Sequence, residues 1–270
     1  MPVRSTKGIT IAKSRLRQVV VPTEHGGWGF TLEPVLLGAL VAPGWPALGL
    51  AVATFAAFLT RRPLRIVVAD LRHNRRLPRT GVAAGSVAGL IAVAIAGFAL
   101  ALATSVGSFW WPVLIAVPVV VVQLRFDLDN RGRELLPELL GPIALGAVAP
   151  MIILAEGLGW EIAVGAWVVL TARVVPSVLL VRMQLRRMKR QGFSVAPTVS
   201  TGLLAIVVVA VAGWTKAAPF SSIVAAVAVA AWGGYSITSR PVPVKTIGWT
   251  QMLVGLGVVL AFAIGHHAGW

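Results

Sequence analysis

Long apolar segments separated by short, strongly basic connections dominate this chain of 270 residues. Its residues are 57% hydrophobic and 12% charged, whereas a soluble domain carries about 25% charged residues to cover its surface. A helix of about 20 apolar residues crosses a hydrocarbon core while satisfying its own backbone hydrogen bonds. The sequence therefore predicts an all-α fold, a polytopic transmembrane helical bundle.

We expect about nine spans, which form a single transmembrane domain (29–270) after a basic amino-terminal segment (1–28). The first two spans are short and meet at an Ala-Pro-Gly-Trp-Pro turn that is typical of a helical hairpin. The predicted spans are Gly29 to Ala42, Trp45 to Thr60, Gly81 to Thr104, Trp110 to Leu124, Leu135 to Leu154, Ile162 to Val181, Val199 to Trp214, Ser221 to Ile237 and Ile247 to Ile264.

Lysine and arginine are concentrated in alternate connections, in residues 61–79, 125–133, 182–190 and 240–245, whereas Lys216 is the only one in the connections between them. Basic connections face the cytoplasm. The pattern predicts a multi-pass protein of the bacterial cytoplasmic (inner) membrane with a cytoplasmic amino terminus and an outer carboxyl terminus. The formal charge of +15 thus reports topology, and no nucleic-acid partner is expected, because the basic residues do not form one stripe with interleaved aromatic residues.

Several chemistries are excluded by residue type. The chain has no cysteine, so disulfides, thiolate metal sites and cysteine nucleophiles are absent. It also contains no phosphate-binding P-loop, nucleophile elbow or dinucleotide-binding fingerprint.

Glu24 and His25 lie just before the first span, followed by two glycines and a tryptophan. An imidazole beside a carboxylate is suited to proton transfer, which makes both residues catalytic candidates. The same residues also fit a helix start, with Glu24 in the first turn.

Glu33 lies inside the first predicted span and Arg173 inside the sixth. Ionisable groups at this depth need a partner and mark functional sites, so Glu33 is a third catalytic candidate beside Glu24 and His25. We expect Glu33 and Arg173 to pair, either at a substrate or proton site or only to fix helix packing.

The connection that contains Asp127 and Asp129 mixes acidic and basic residues. Two carboxylates are suited to Mg²⁺, which reaches phosphate-bearing substrates through one or two such ligands. The alternative is a loop that neutralises its own charge.

Arginines at the ends of the second and sixth predicted spans provide many donors at one membrane face. They are suited to phosphate or carboxylate oxygens of a substrate, and attraction to anionic lipid headgroups explains them equally well. The predicted substrate-binding residues are Arg61, Arg62, Arg65, Asp70, Arg173, Arg182 and Arg186.

Residues 21–30, Val-Pro-Thr-Glu-His-Gly-Gly-Trp-Gly-Phe, precede an apolar run with Pro34 and Leu-Leu-Gly at 36–38. This opening resembles that of the YwiC-like family of bacterial membrane proteins. Weaker similarity continues through residues 61–64, 127–140 and 182–187.

The layout is also similar to that of the UbiA prenyltransferase superfamily, a resemblance that implies nine membrane helices and an active site over the cytoplasmic ends of the second and sixth. Those enzymes hold Mg²⁺ and a prenyl diphosphate with two Asp-rich motifs. Here residues 61–70 and 182–187 are rich in arginine instead, so we expect direct arginine contacts to the anionic group.

The predicted function is therefore to bind or process an amphiphile with an anionic head, polyprenyl-phosphate-like or lipid-phosphate-like, in a cavity that opens to the cytoplasm. A transporter for a small solute or protons, with broken helices around Pro34, Pro142 and Pro176, is the first alternative. A non-catalytic membrane partner subunit is the second.

Overall fold

The computed structural model describes residues 25–74, 77–129 and 131–270. This part of the chain forms ten α-helices and no strand. They are α1 His25–Val41, α2 Trp45–Arg72, α3 Pro78–Thr104, α4 Trp110–Leu128, α5 Leu135–Gly146, α6 Val148–Ala155, α7 Trp160–Met188, α8 Ala196–Trp214, α9 Ser221–Thr238 and α10 Val244–His267.

Within the described part of the chain, eight spans are long and apolar enough to cross a membrane when α5 and α6 are counted as one span, and α1 is a shorter apolar helix. The predicted all-α, multi-pass transmembrane fold is confirmed. Successive spans run in opposite directions, so the connections after α2, α4, α7 and α9 lie at one end of the bundle. We call it the basic end, and the other the far end.

Three helices extend further toward the basic end than predicted. α2 continues to Arg72, α4 to Leu128 and α7 to Met188, so much of the predicted basic loops is helical. These boundaries were wrong because each predicted span ended where charged residues began. Long arginine side chains can reach the membrane surface from a helix that continues beneath them. Likewise, α1 begins at His25, four residues before the predicted start.

The fifth predicted span is interrupted at Ala147, where α5 ends and α6 begins. Pro150 explains the interruption, because its ring has no N–H and clashes with the carbonyl of the residue four positions earlier, Gly146. The indole nitrogen of Trp167 on α7 donates a 2.8 Å hydrogen bond to the carbonyl of Ile143 next to the break. A polar backbone group released by the interruption is therefore satisfied inside the bundle.

The breaks predicted around Pro34 and Pro176 do not occur, since α1 and α7 are continuous through these prolines. Neighbouring helices in a membrane can accommodate a proline without ending the helix. The cost is local: Pro176 cannot donate to the carbonyl of Ala172, four residues earlier.

α1 is the central helix and packs against α2, α5, α6, α7 and α10. Leu37 in its second half is fully buried. Gly38 allows close packing on α6, because a Cβ there would lie 2.8 Å from the Ile152 side chain. A polar residue in the middle of α1 therefore meets protein and not lipid.

Candidate functional site

Glu33 in the middle of α1 and Arg173 in the middle of α7 form an ion pair inside the bundle. Oε1 of Glu33 and Nη2 of Arg173 are 3.0 Å apart, and each residue is only 4% exposed. The pairing expected from their depth is present. Because removing two charges from water is unfavourable by several kcal/mol per ion, roughly, the surrounding protein has to compensate them well.

Gly255 on α10 makes room for the ion pair. A Cβ at this position would overlap the Glu33 carboxylate and lie 2.7 Å from Nη2 of Arg173. On another side, the guanidinium carbon of Arg173 lies 5.1 Å from the centre of the Phe30 ring, a favourable cation–π distance. The site is thus built by α1, α7 and α10 together.

Arg173 nevertheless keeps unused donors. Its Nη2 also donates to the backbone carbonyl of Gln251, but its Nε and Nη1 are buried without a hydrogen-bond partner. The same is true of Oε1 of Gln251 and Oγ of Ser222. Because buried polar groups nearly always have partners, the unpartnered donors of Arg173 indicate that a polar group can bind beside this side chain.

A cavity of about 110 Å³ lies between α7, α8, α9 and α10, with Ser177 and Gln251 in its lining. A narrow gap of about 10 Å³, lined by Arg173 and Ser222, adjoins it. Pro176 lines both spaces. The cavity therefore extends from the basic half of these helices toward the ion pair.

One polar stripe of α7 runs from the basic end to the ion pair. Arg187, Gln184, Ser177 and Arg173 are separated by three, seven and four residues, a spacing that places them on one face of the helix. Nη1 of Arg187 donates a 2.8 Å hydrogen bond to the carbonyl of Ile237, which lines the cavity at the basic end of α9. A charged donor thus lies at each end of the stripe.

The cavity also opens sideways between α8 and α9. Val199 and Leu203 on α8 line it and are 45% and 59% exposed. Gly234 on α9 lines it as well and is exposed. Since these residues lie on membrane-spanning helices, the opening faces the lipid.

Two of the arginines predicted to bind substrate are bound by carboxylates of the protein. Nε of Arg61 donates to Asp127 at 2.9 Å, and Nη1 of Arg182 lies 2.5 Å from Oε2 of Glu138. These pairs join α2 to α4 and α5 to α7 near the basic end. An anion at either arginine would have to compete with a carboxylate that is already present.

The remaining predicted binding residues lie apart from the cavity. Asp70 is buried and accepts a 2.8 Å bond from Arg79, which ties α2 to the start of α3. Arg62 and Arg65 are on α2, and Arg186 is exposed on α7. None of these residues is among those that line the cavity, and their binding roles stay predictions.

The acidic connection after α4 is largely neutralised by arginines. Asp127 is bound by the α2 arginine described above, and Asp129 lies 3.2 Å from Arg72. Arg131 and Glu134 are 2.6 Å apart, and the hydrogen bond and charge of Glu134 raise the pKa of Arg131. Among the described residues, no group of three or more His, Asp or Glu side chains could hold a metal ion. Mg²⁺ at the two aspartates stays a prediction.

The predicted proton-transfer pair at the start of the first span is not tested. Glu24 lies outside the described residues, and His25 is the first residue of α1. The helix-start interpretation, which places Glu24 in the first turn, likewise stays a prediction.

Sequence reasoning missed Ser177, Gln184, Arg187, Ser222 and Gln251 as parts of one site. A signal for three of them was present, because residues 177, 184 and 187 follow Arg173 at helical spacing. Gln251 and Ser222 are polar residues in apolar spans, and only the packing of α9 and α10 against α7 places one in the lining of the cavity and the other in the lining of the adjoining gap.

The fold and the site define a multi-pass helical membrane protein with an ion pair buried between its first span and its second half. Residues 21–153 match the family model described as YwiC-like protein, so this segment is YwiC-like, as its opening motif predicted. The matched segment contains Glu33 and ends before α7, so Arg173 and the cavity lie outside it. No curated protein and no solved structure matches the chain.

Proposed function

We propose that the protein binds an amphiphile with an anionic, phosphate-like head, and that the head enters the cavity between α7, α8, α9 and α10. The observation that carries the proposal is the pair of buried, unpartnered nitrogens of Arg173, a residue that lines the narrow gap adjoining this cavity. Guanidinium groups are suited to phosphate and carboxylate oxygens.

The size and the opening of the cavity favour an amphiphile. An engineered cavity of about 150 Å³ admits benzene, so about 110 Å³ admits a head of a few heavy atoms and excludes a long hydrocarbon chain. The lateral opening between α8 and α9 would let such a chain stay in the lipid. A polyprenyl phosphate or a lipid phosphate has this shape.

The basic end favours an anionic ligand. Arg187 is hydrogen-bonded to Ile237 at the basic end of the cavity lining, and exposed basic residues follow it in the connection after α7. Clusters of this kind attract anionic headgroups by about 1 kcal/mol per residue near a membrane surface. We propose that this end faces the cytoplasm of a bacterial inner membrane, as the positive-inside rule indicates.

Binding of a short dialkyl phosphate to the purified protein in a neutral detergent tests the proposal. Gln251→Leu removes an amide of the cavity lining whose nitrogen can donate to the head, and Arg187→Gln removes the guanidinium that is hydrogen-bonded to Ile237 at the basic end of the lining. A hydrogen bond to a charged group contributes about 1.5–3 kcal/mol, so we expect each change to weaken binding roughly 10-fold to 100-fold.

Arg190→Gln is the matched control, because Arg190 is exposed at the same end, whereas Arg187 is hydrogen-bonded to Ile237 in the cavity lining. It should lower the affinity only slightly. Equal losses for Arg187→Gln and Arg190→Gln would mean that the phosphate is attracted to the surface and does not enter the cavity.

Transport is the second candidate function, and Ser222 is the observation that favours it. Its unpartnered hydroxyl group lines the gap beside Arg173 near the far-end start of α9. Polar atoms on both sides of Arg173 fit a path across the membrane. Uptake of a labelled anion into proteoliposomes, abolished by Ser222→Val while dialkyl phosphate binding persists, would favour transport.

A further inference from the structure

Glu33 forms an ion pair with Arg173, the residue on which the proposed function depends. Its carboxylate contacts Nη2 of Arg173 inside the bundle, next to the two nitrogens that have no partner. We infer that Glu33 is a proton-binding site coupled to the anion site, so that an anionic head binds beside Arg173 together with one proton. This inference rests on the proposed function.

Charge balance carries the inference. With Glu33 ionised, the ion pair is neutral, and a phosphate-like anion beside Arg173 would leave one uncompensated negative charge in the middle of the membrane. A net charge at this depth is strongly unfavourable. Uptake of a proton by the carboxylate forms one O–H bond on Glu33 and leaves Arg173 and the anion as the new neutral pair.

Among the described residues, Arg173 is the charged group that the structure places against Glu33. α6 has no titratable residue, and the charged residues of the other helices packed on α1 lie toward their ends. These are Arg61, Arg62, Arg65, Asp70 and Arg72 on α2, Glu138 on α5, Glu161, Arg182, Arg186 and Arg187 on α7, and Lys245, His266 and His267 on α10.

The geometry also leaves two donors of Arg173 for an anion while Glu33 keeps its contact with the third nitrogen. Nη2 of Arg173 serves Glu33 and the Gln251 carbonyl, whereas Nε and Nη1 serve no acceptor. A protonated carboxyl group can remain beside Nη2 through its carbonyl oxygen while the anion takes the other nitrogens. The coupling is therefore electrostatic, and the gap of about 10 Å³ beside Arg173 has to widen for an oxygen of the anion to enter it from the adjoining cavity.

Proton uptake on ligand binding measures the coupling directly. A dialkyl phosphate has one acidic group, which is ionised throughout the neutral range, so any proton taken up belongs to the protein. Purified protein in weakly buffered detergent with a pH indicator should take up about one proton per ligand bound at a pH where Glu33 is ionised in the free protein, and less as the pH is lowered. Because the complex holds the extra proton, the dissociation constant should rise about 10-fold per pH unit wherever Glu33 is ionised in the free protein.

Glu33→Gln is the decisive variant, because the amide keeps an oxygen for Nη2 of Arg173 but cannot titrate. It should bind the dialkyl phosphate without proton uptake and with an affinity independent of pH. Glu161→Gln, an exposed glutamate at the far end of α7, is the control and should keep the uptake of the unmodified protein.

Failure of the proton coupling and failure of the proposed function give different results in these experiments. If the unmodified protein binds the dialkyl phosphate without proton uptake, the coupling is wrong and the proposed function stands. If neither the unmodified protein nor Glu33→Gln binds it at any pH, the proposed function itself is wrong. Should Glu33→Gln not fold, the proton count of the unmodified protein decides alone.

Discussion

Replacing Glu33 or Arg173 alone is expected to destabilise the protein more than replacing both residues together. Glu33→Leu leaves the buried guanidinium with the Gln251 carbonyl as its one protein acceptor. Arg173→Met leaves the carboxylate without a partner at 4% exposure. In the double variant neither charge remains.

The expected size follows from the geometry. A nitrogen and an oxygen 3.0 Å apart place the charge centres about 4 Å apart, where the attraction is about 4 kcal/mol at an effective dielectric constant of about 20. Loss of one partner of a buried pair costs about 3–5 kcal/mol. Additive effects would sum to about 6–10 kcal/mol, whereas we expect the double variant to lose less than about 3 kcal/mol, since apolar replacement of a whole pair is often neutral.

Denaturant unfolding in mixed micelles, followed by the fluorescence of the ten tryptophans, measures the four stabilities of this double-mutant cycle. The exposed pair Arg131 and Glu134 provides a control cycle, for which almost no coupling is expected. Additive effects at Glu33 and Arg173 would refute the reasoning, because they would show that the two charges do not depend on each other.

Two further predictions concern the site and the orientation. Gly255→Ala should destabilise the protein by about 1–3 kcal/mol, because the added methyl group overlaps the Glu33 carboxylate. Gly257→Ala on the same helix is the control: its methyl group meets no atom within 4 Å, so the change should be neutral or slightly stabilising. The unfolding assay described above compares the two variants. Because the chain has no cysteine, a membrane-impermeant maleimide should label Lys216→Cys in intact cells and Arg190→Cys only after permeabilisation, and the reverse result would invert the topology.

Much of the fold could be predicted from the sequence, because membrane spans are encoded locally. Apolar length and the alternation of basic connections located every span from α2 to α10 to within a few residues at the far end. The basic ends of α2 and α7 were misjudged, since a helix rich in arginine resembles a loop when charge alone is considered. The break at Ala147 was not predicted, because Pro150 lies near the end of an apolar run, where a proline gives no clear sign that the helix is interrupted.

The site could be predicted only in part. Glu33 and Arg173 were conspicuous because a charge in a span is rare and requires a partner. Gln251 and Ser222 were not, because an uncharged polar residue in a span gives no sign of whether it faces lipid, protein or a cavity. Arg61 and Arg182 looked like binding residues because their carboxylate partners, Asp127 and Glu138, are distant in sequence and meet them only in the folded bundle.

The central place of α1 affects how the protein is made. Arg173 is synthesised 140 residues after Glu33, and at about 5–20 residues per second a ribosome needs roughly 7–28 s to reach it. During that interval the first span of the nascent chain carries a carboxyl group whose counterion does not yet exist. The surface of α7 on which α1 packs is available only after α7 has been synthesised. The packing of the first span is therefore completed by the second half of the chain.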